Sequence, residues 1–369
     1  MPGERVIVIG GGVIGCSIAY HLAGAGATVT LVERGKVGSG ASDVAAGMVA
    51  ALSENLALGE PLNLALHSRA MLLDILPSLQ AESGIDVEYR SPGILHVAVT
   101  DDEERELRSR LEWQEPLGMG VRWLTAQEAY RTEPALGEGV RGALSSPNEG
   151  HLNSRRLVRA YAQAAAKRGA DILQDTEVMG LTLQGSRVTG VKLAAGEMEA
   201  DWVVMASGAW ATRCGEWLGL QLPVQPVRGQ IVSARILPSP ISSIVWRGIT
   251  YLVPKADGAI VIGTTREWVG FKESATLRGV SGILAGAIEL VPAVADAELG
   301  HVWAGLRPGS PDDAPMLGPI DGWDGLLLAV GHYRSGILLS AATGKLITDC
   351  ITRGDGTAML PFALSRFSS

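Results

Sequence analysis

The stretch Val6–Glu33, V-I-V-I-G-G-G-V-I-G-C-S-I-A-Y-H-L-A-G-A-G-A-T-V-T-L-V-E, admits few folds. Val6–Ile9 is a short apolar run of the kind a buried parallel strand presents. Gly10-Gly11-Gly12-Val13-Ile14-Gly15 follows at once and fits G-x-G-x-x-G; a helical pattern then runs to about Ala23, where Gly24 and Gly26 end it. Thr28–Val32 reads as a second strand, closed by Glu33. Gly10 permits the tight turn out of the strand, Gly12 lets a pyrophosphate approach the backbone, and Gly15 lets the helix pack closely on the strand. The N-terminus of that helix offers free N–H groups and a positive dipole end to phosphate. Glu33, about 20 residues on, can accept both hydroxyls of an adenosine ribose and would repel a 2′-phosphate. The plainer alternative is a glycine-rich loop that holds nothing. The motif does not separate FAD from NAD.

Composition narrows the class. The chain has 369 residues, of which 47% are hydrophobic, enough for two domains or one large intertwined one. A net charge of −8 gives a nucleic-acid role no electrostatic support. Cys16, Cys214 and Cys350 lie far apart, without metal or redox spacing, and suit a reducing cytoplasm. No signal peptide is read at the N-terminus. Residues 6–32 carry no Asp, Glu, Lys or Arg, but the glycines and the two-strand pattern favour a nucleotide-binding βαβ unit over a membrane span.

Further along, Gly35–Ala51 is rich in small residues that let backbone approach a flat ligand, and Ser42 and Asp43 are placed to cap a helix near Val44. Leu62–Leu76 reads as an amphipathic helix, with Pro61 in its first turn and Pro77 as its end or a kink. Val87–Val99 reads as strands, Asp101–Glu115 as an exposed helix, and Thr125 with Glu128 as a capping box. Asn153 caps a helix through Lys167; Asp171–Leu181, Arg187–Leu193 and Met198–Met205 follow as strands. The last of these runs into a small-residue turn, Ala206-Ser207-Gly208, that can pack behind the phosphate loop. From Leu222 the pattern alternates as an antiparallel sheet does, with a hairpin expected around Lys255–Gly258. Leu277–Val291 is helical, and a final helix runs to about Thr352. The order of elements gives residues 1–85, 148–221 and 303–369 to a nucleotide-binding domain, and 86–147 and 222–302 to a substrate domain.

Near the end, strand Leu326–Val330 leads into Gly331-His332-Tyr333-Arg334-Ser335-Gly336 and a second helix N-terminus. Such a terminus stabilises negative charge. A reduced flavin carries that charge at its N1/C2=O edge and a nicotinamide does not, so this feature favours FAD.

Taken together, V-I-G-G-G-V-I-G at 8–15, S-x-x-A-A-G-M at 42–48, A-S-G-A-W at 206–210, R-G-Q at 228–230, Y-L-V-P at 251–254, W-A-G-L-R-P-G at 303–309 and G-H-Y-R-S-G-I-L-L at 331–339 resemble the D-amino-acid-oxidase-like flavoproteins, nearest their glycine-oxidase branch. The resemblance covers nearly the whole chain. It implies an α/β fold in which a Rossmann-type FAD-binding domain is interleaved with an antiparallel-sheet substrate domain. It implies non-covalent FAD, since no cysteine falls in 331–339. The implied cofactor contacts are Gly10, Gly12, Val13, Ile14, Gly15, Glu33, Arg34, Ala41, Ser42, Ala46, Gly47, Met48, Val178, Ser207, Gly208 and the run His332, Tyr333, Arg334, Ser335, Gly336, Ile337, Leu338. Arg307 falls where the family binds the substrate carboxylate, Tyr251 where a tyrosine bonds that carboxylate, and Arg334 at a substrate contact beside the flavin. A guanidinium fork suits a carboxylate in type. The implied reaction oxidises glycine or an N-substituted glycine to an imine, which water hydrolyses to glyoxylate and an amine, with oxygen as acceptor and hydrogen peroxide as product. A small amino-acid substrate and a homo-oligomer are the implied partners; neither nucleic acid nor membrane is.

One departure stands out. The strand of the substrate sheet ends at Thr264-Thr265-Arg266, where glycine oxidases carry methionine in place of Arg266. A buried guanidinium wants an anionic partner. Either Arg266, with Arg247 and Glu54 nearby, serves a substrate with a second carboxylate, or it pairs with Glu267, Glu54 or another acid and takes no part in binding. The rival readings are a same-fold dehydrogenase that passes electrons to a quinone or protein, an NAD enzyme, and a non-catalytic FAD-binding subunit.

Overall fold

A computed structural model describes residues 3–367. Among them, nine strands form the first sheet. Its centre is parallel and runs, in spatial order, Asp171–Leu173, Thr28–Val32, Arg5–Ile9, Trp202–Met205 and Trp323–Val330. Side chains alternate across such a sheet, and here both faces are covered. Val6, Val8 and Leu31 pack under the helices Val13–Gly24, Ser154–Lys167, Glu60–Ser83 and Gly336–Arg353. Ile7, Ile9, Val203 and Met205 pack on the other side, against residues from 178–191 and 211–224. Among the described residues no helix is long and apolar enough to cross a membrane.

Eight strands form the second sheet, in the order Glu298–Gly309, Gln225–Arg235, Ala259–Gly263, Thr250–Pro254, Ile244–Arg247, Ile94–Ala98, Gly142–Ser146 and Arg122–Thr125. Every pairing is antiparallel except that of Ile244–Arg247 with Ile94–Ala98. The expected hairpin is present, with Pro254 opposite Ile260. One face, with Val245, Leu252 and Ile262, packs on helix Leu277–Leu290; the other carries Ile94, Ile231, Trp246 and Tyr251 towards Ala46 and Met48. Strand Glu298–Gly309 belongs whole to this sheet, so the division expected between 302 and 303 cuts through it.

Several boundaries differ from those expected. The helix around Leu62 starts at Glu60 and runs through Pro77 to Ser83, because Leu79 and Ser83 are buried against the core while Pro77 faces solvent. Asp171–Leu181 is two strands, Asp171–Leu173 in the parallel centre and Val178–Gln184 antiparallel to Arg187–Leu193. Met198–Met205 breaks at Asp201, whose carboxylate accepts the Arg5 N–H at 2.9 Å. Ser42 and Asp43 cap nothing: Gly40 stands before a single helical turn, Ala41–Val44, and the Ser42 hydroxyl instead accepts the Val13 N–H at 3.0 Å. The capping box at Thr125 and Glu128 and the Asn153 cap form as read.

Candidate active site

The two sheets enclose a cavity of about 460 Å3, and both helix N-termini singled out in the sequence open onto it. Neither N-cap residue, Gly12 or Ser335, caps its helix with its own side chain; at the first, the Ser42 hydroxyl accepts the Val13 N–H. Gly10 turns at φ +110, with the Ala206 carbonyl 2.6 Å from where a Cβ would stand. Gly12, Val13 and Ile14 then line the cavity. Gly15 stands behind it: an added Cβ would lie 1.9 Å from the Gly10 carbonyl oxygen, so its part is helix–strand packing.

Glu33 lines the same end, its two oxygens accepting the N–H groups of Gly11 at 2.7 Å and Gly35 at 2.8 Å. Gly11, which the motif leaves open, is needed for this. Its Cβ would come within 2.9 Å of the Glu33 Cβ. Three successive glycines were the available signal. Arg34, Ala41, Ser42, Ala46, Gly47, Met48, Val178, Ser207 and Gly208 all line the wall. Trp210 lines it too, with Arg34 over its ring at 4.0 Å. The buried Lys255 ammonium donates to the carbonyls of Ala46 at 2.5 Å and Leu152 at 3.3 Å, bracing the small-residue loop, and burial draws its pKa down to about 7. Nothing short of the tertiary structure reveals that link.

At the other end His332, Tyr333, Arg334, Gly336 and Ile337 line the cavity. Burial draws the His332 pKa down to about 3, so the ring is neutral at physiological pH, with Nε2 3.0 Å from Thr343 Oγ1. Two expected contacts do not reach the wall. Ser335 sits at the helix cap, and Leu338, part of the hydrophobic core, turns away as helical periodicity requires; its carbonyl accepts from Ser68 at 2.7 Å.

Tyr251, Arg307 and Arg334 converge on this end. Tyr251 is buried, edge-on to Trp246 at 5.5 Å, and Gly263 leaves room for its ring: a Cβ there would lie 2.3 Å from Cζ. Burial holds its hydroxyl above the ordinary range, against the pull of Arg307, so it stays a donor. Arg307 donates from Nη2 to Thr264 Oγ1 at 2.7 Å and from Nη1 to the Thr265 carbonyl at 3.1 Å. Among the described residues no carboxylate answers its charge. Gly229 makes space for it, since a Cβ would stand 2.1 Å from Nη1. A half-buried guanidinium with hydrogen bonds and no counter-ion suits an anion in type.

Arg334 differs. Its Nε lies 3.1 Å from Glu54 Oε2, and that charge holds its pKa up. Glu54, expected to contact substrate, lines the cavity as the partner of Arg334. Arg247 is a correction outright. Trp246 faces the cavity, so Arg247 points to the opposite face of the sheet, where it pairs with Glu103 at 2.8 Å and Glu289 at 2.5 Å. Trp246 is the residue missed, and it differs by one step of strand alternation.

Arg266 lines the cavity, exposed, 5.9 Å from the Tyr333 ring. Neither acid named for it is available. Glu54 holds Arg334, and Glu267 binds Arg228 through Nε at 2.9 Å and Nη2 at 3.0 Å. Arg228, with Gln230 and Thr265, lowers Glu267 from 4.5 to about 2. A depressed acid adds stability above its unfolded pKa and loses it as pH falls through the folded one. Thermal denaturation against pH is therefore expected to show this contribution draining away between about pH 4.5 and about 2, and to show Glu267→Gln less stable at neutrality with a shallower slope in that window.

The parallel sheet, its glycine turn and the cavity they border define a dinucleotide-binding protein. Residues 5–350 match the family described as DAO, FAD dependent oxidoreductase, and the chain belongs to that family. FAD is therefore the cofactor, and the nicotinamide alternative falls. The chain is 38% identical to the glycine oxidase of Geobacillus kaustophilus over 98% of its own length and 96% of the relative's. The crystal structure of a Geobacillus kaustophilus glycine oxidase superposes with a TM-score of 0.95, covering 99% of each chain at 37% identity. The hydrogen cyanide synthase subunit HcnC of Pseudomonas aeruginosa is 34% identical over 93% of this chain and 91% of its own. Iminodiacetate oxidase from Chelativorans sp. BNC1 superposes with a TM-score of 0.87 at 26% identity, covering 97% and 98% of the two chains.

Proposed function

We propose that this chain oxidises glycine or an N-substituted glycine, and that its preferred substrate carries a second carboxylate. The observation that carries the reading is the pair of cavity-lining arginines, Arg307 and Arg266, that no carboxylate of the described chain answers. Arg307, with the protonated Tyr251 hydroxyl, takes the carboxylate of the glycine unit. Arg266, nearer solvent, takes the second. Arg334, neutralised by Glu54, orients the substrate without competing for its carboxylate.

The cavity fits FAD on its own chemistry. Gly10 and Gly12 let phosphate approach the backbone at the first helix N-terminus, where the Ser42 hydroxyl already accepts the Val13 N–H. The held carboxylate of Glu33 faces the ribose position, and the helix at Gly336, with no cap from its N-cap side chain, suits the ring end. Bound there, FAD supplies the two-electron oxidant. The protein binds and orients the amine; Tyr251 and His332 stay neutral and leave the amine to react as its free base. The resulting imine is hydrolysed to glyoxylate and an amine, and molecular oxygen is reduced to hydrogen peroxide. Iminodiacetate, which gives one relative its name, is itself a secondary amine with two carboxylates, which agrees with this substrate class. Three free cysteines suit a reducing cytoplasm.

The test is anaerobic bleaching of the flavin by glycine, sarcosine and an N-carboxymethyl amino acid, in wild type and in Arg266→Met. Loss of one charge-assisted contact at an exposed site is expected to raise KM for the dicarboxylate about tenfold and to change glycine by about twofold or less. Equal loss on both substrates would sink the dicarboxylate reading. Bleaching followed by slow reoxidation in air would point to an acceptor other than oxygen.

A further inference from the structure

Behind the wall that carries Tyr251 lies a buried polar cluster that the reaction above does not use. Glu149 is 1% exposed. Its Oε1 accepts the N–H groups of Leu52 at 2.5 Å and Ser53 at 3.2 Å, and its Oε2 accepts the Ser53 hydroxyl. His96, also buried, lies with Nε2 2.7 Å from that same hydroxyl. Leu52 and Ser53 belong to the single helical turn Ala51–Glu54. The turn is clasped from the far side: Arg110 donates to the carbonyls of Leu52 at 3.3 Å and Ser53 at 3.4 Å, and Gln114 to Leu52 at 3.1 Å.

Both ends of this cluster reach the cavity. The turn ends in Glu54, the partner of Arg334. The His96 ring packs on Trp246 at 5.1 Å, and Trp246 packs on Tyr251 at 5.5 Å. We propose that Glu149 is a positioning residue for the active site. Its carboxyl fixes the turn that presents Glu54 to Arg334, and through the Ser53 hydroxyl it fixes His96, the ring on which the cavity wall Trp246 rests. The proposal rests on the reading of Arg334 and Tyr251 as groups at the substrate.

The linkage is sensitive to protons. Glu149 faces Ser53 from the turn, His96 from strand Ile94–Ala98 and Arg110 from helix Asp101–Gln114, while Arg69 of helix Glu60–Ser83 donates to the neighbouring Asn148 carbonyl. Burial raises Glu149 to about 7, against the pull of the Ser53 and Leu52 donors and of Arg110, and burial drives His96 well below its usual value. The ring stays neutral while Glu149 changes charge. An ionised Glu149 accepts a hydrogen bond from the Ser53 O–H, as the structure has it. A protonated one can donate to the Ser53 oxygen instead, and the Ser53 O–H then donates to His96 Nε2 in the neutral tautomer that carries its proton on Nδ1. The clasp is therefore set above neutrality and relaxed below it.

The experiment uses holoenzyme. Glu149→Gln keeps the shape and one acceptor for the Leu52 and Ser53 N–H groups, and removes the charge. KM for the amine substrate and Kd for acetate, read from the flavin spectrum, are followed from acid to alkaline pH. Wild type is expected to show an inflection near 7 in both. Glu149→Gln is expected to retain its flavin, to raise both constants about tenfold above that inflection, and to lose the inflection. Glu54→Gln is expected to raise KM similarly, and the double variant no further, since both act through one contact. If Glu149→Gln leaves KM and the inflection unchanged while Glu54→Gln raises KM, the positioning role is overturned and the reading of the site stands. Should Glu149→Gln fail to fold, Ser53→Ala decides: it leaves both backbone contacts and must still remove the inflection, or the proposal fails. A wild-type flavin that no amine bleaches would count against the functional reading, separately from either variant.

Discussion

Arg307→Ala is expected to lower kcat/KM for every amino-acid substrate by roughly 10²–10⁴-fold while the protein keeps its fold and its flavin. Removing one partner of a hydrogen-bonded, desolvated charge pair costs about 2–5 kcal/mol, and each 1.36 kcal/mol is tenfold. Among the described residues the side chain donates to Thr264 Oγ1 and the Thr265 carbonyl and meets no carboxylate, so deleting it leaves no buried carboxylate orphaned, and thermal stability should change little. Arg307→Lys keeps the charge and loses the fork, so it should recover part of the KM and less of the rate. Steady-state kinetics with flavin content and Tm measured on the same samples checks this. Unaltered substrate saturation in Arg307→Ala would remove the carboxylate role from this residue.

Gly15→Ala is the second large effect, and it falls on the cofactor. The added methyl would stand 1.9 Å from the Gly10 carbonyl oxygen, which is backbone and has no rotamer to escape into. Gly10 is itself held at φ +110 against Ala206, so the turn cannot relax towards the sheet. The phosphate turn must open. The Kd for FAD is expected to rise about tenfold or more, since 1.4 kcal/mol of lost affinity is already tenfold, and the flavin retained on purification to fall with it. Tm should fall as well, through both the strained packing and the lost ligand. Gly282→Ala is the control: it lies on the exposed side of helix Leu277–Leu290 with nothing within 4 Å, and should be neutral or stabilising by about 0.5–1 kcal/mol. Absorbance of purified protein and a melting curve suffice. A Gly15→Ala protein that purifies fully yellow would show that the turn does not set cofactor affinity.

Much of the nucleotide end was legible because its determinants are local. A strand, a glycine turn and a helix from Arg5 to Gly24 need only chirality, Cβ sterics and periodicity to be read, and Glu33 follows within the same βαβ unit. The antiparallel region from Leu222 was legible for the same reason, since period-2 alternation survives in each strand. What failed was phase and partnership. Arg247 and Trp246 are neighbours in sequence, and nothing local says which faces the cavity; the strand's register with Tyr251 decides it. Glu54 and Arg266 are both polar residues near the site, yet one is consumed by Arg334 and the other left free. Pro77 failed as a stop because burial of Leu79 and Ser83 outweighs its local preference.

The sequence by itself determined the parallel nucleotide-binding unit and the second helix N-terminus at Gly336, because each is written within a dozen or so neighbouring residues whose spacing has one physical use. Only the tertiary structure decided which charges are answered and which are not. Glu54 meets Arg334, Glu267 meets Arg228, Glu149 clasps the turn at Ser53, and Arg307 and Arg266 are left facing the cavity. Those pairings join residues that are remote along the chain, and an ion pair depends on distance and burial, neither of which a linear pattern encodes.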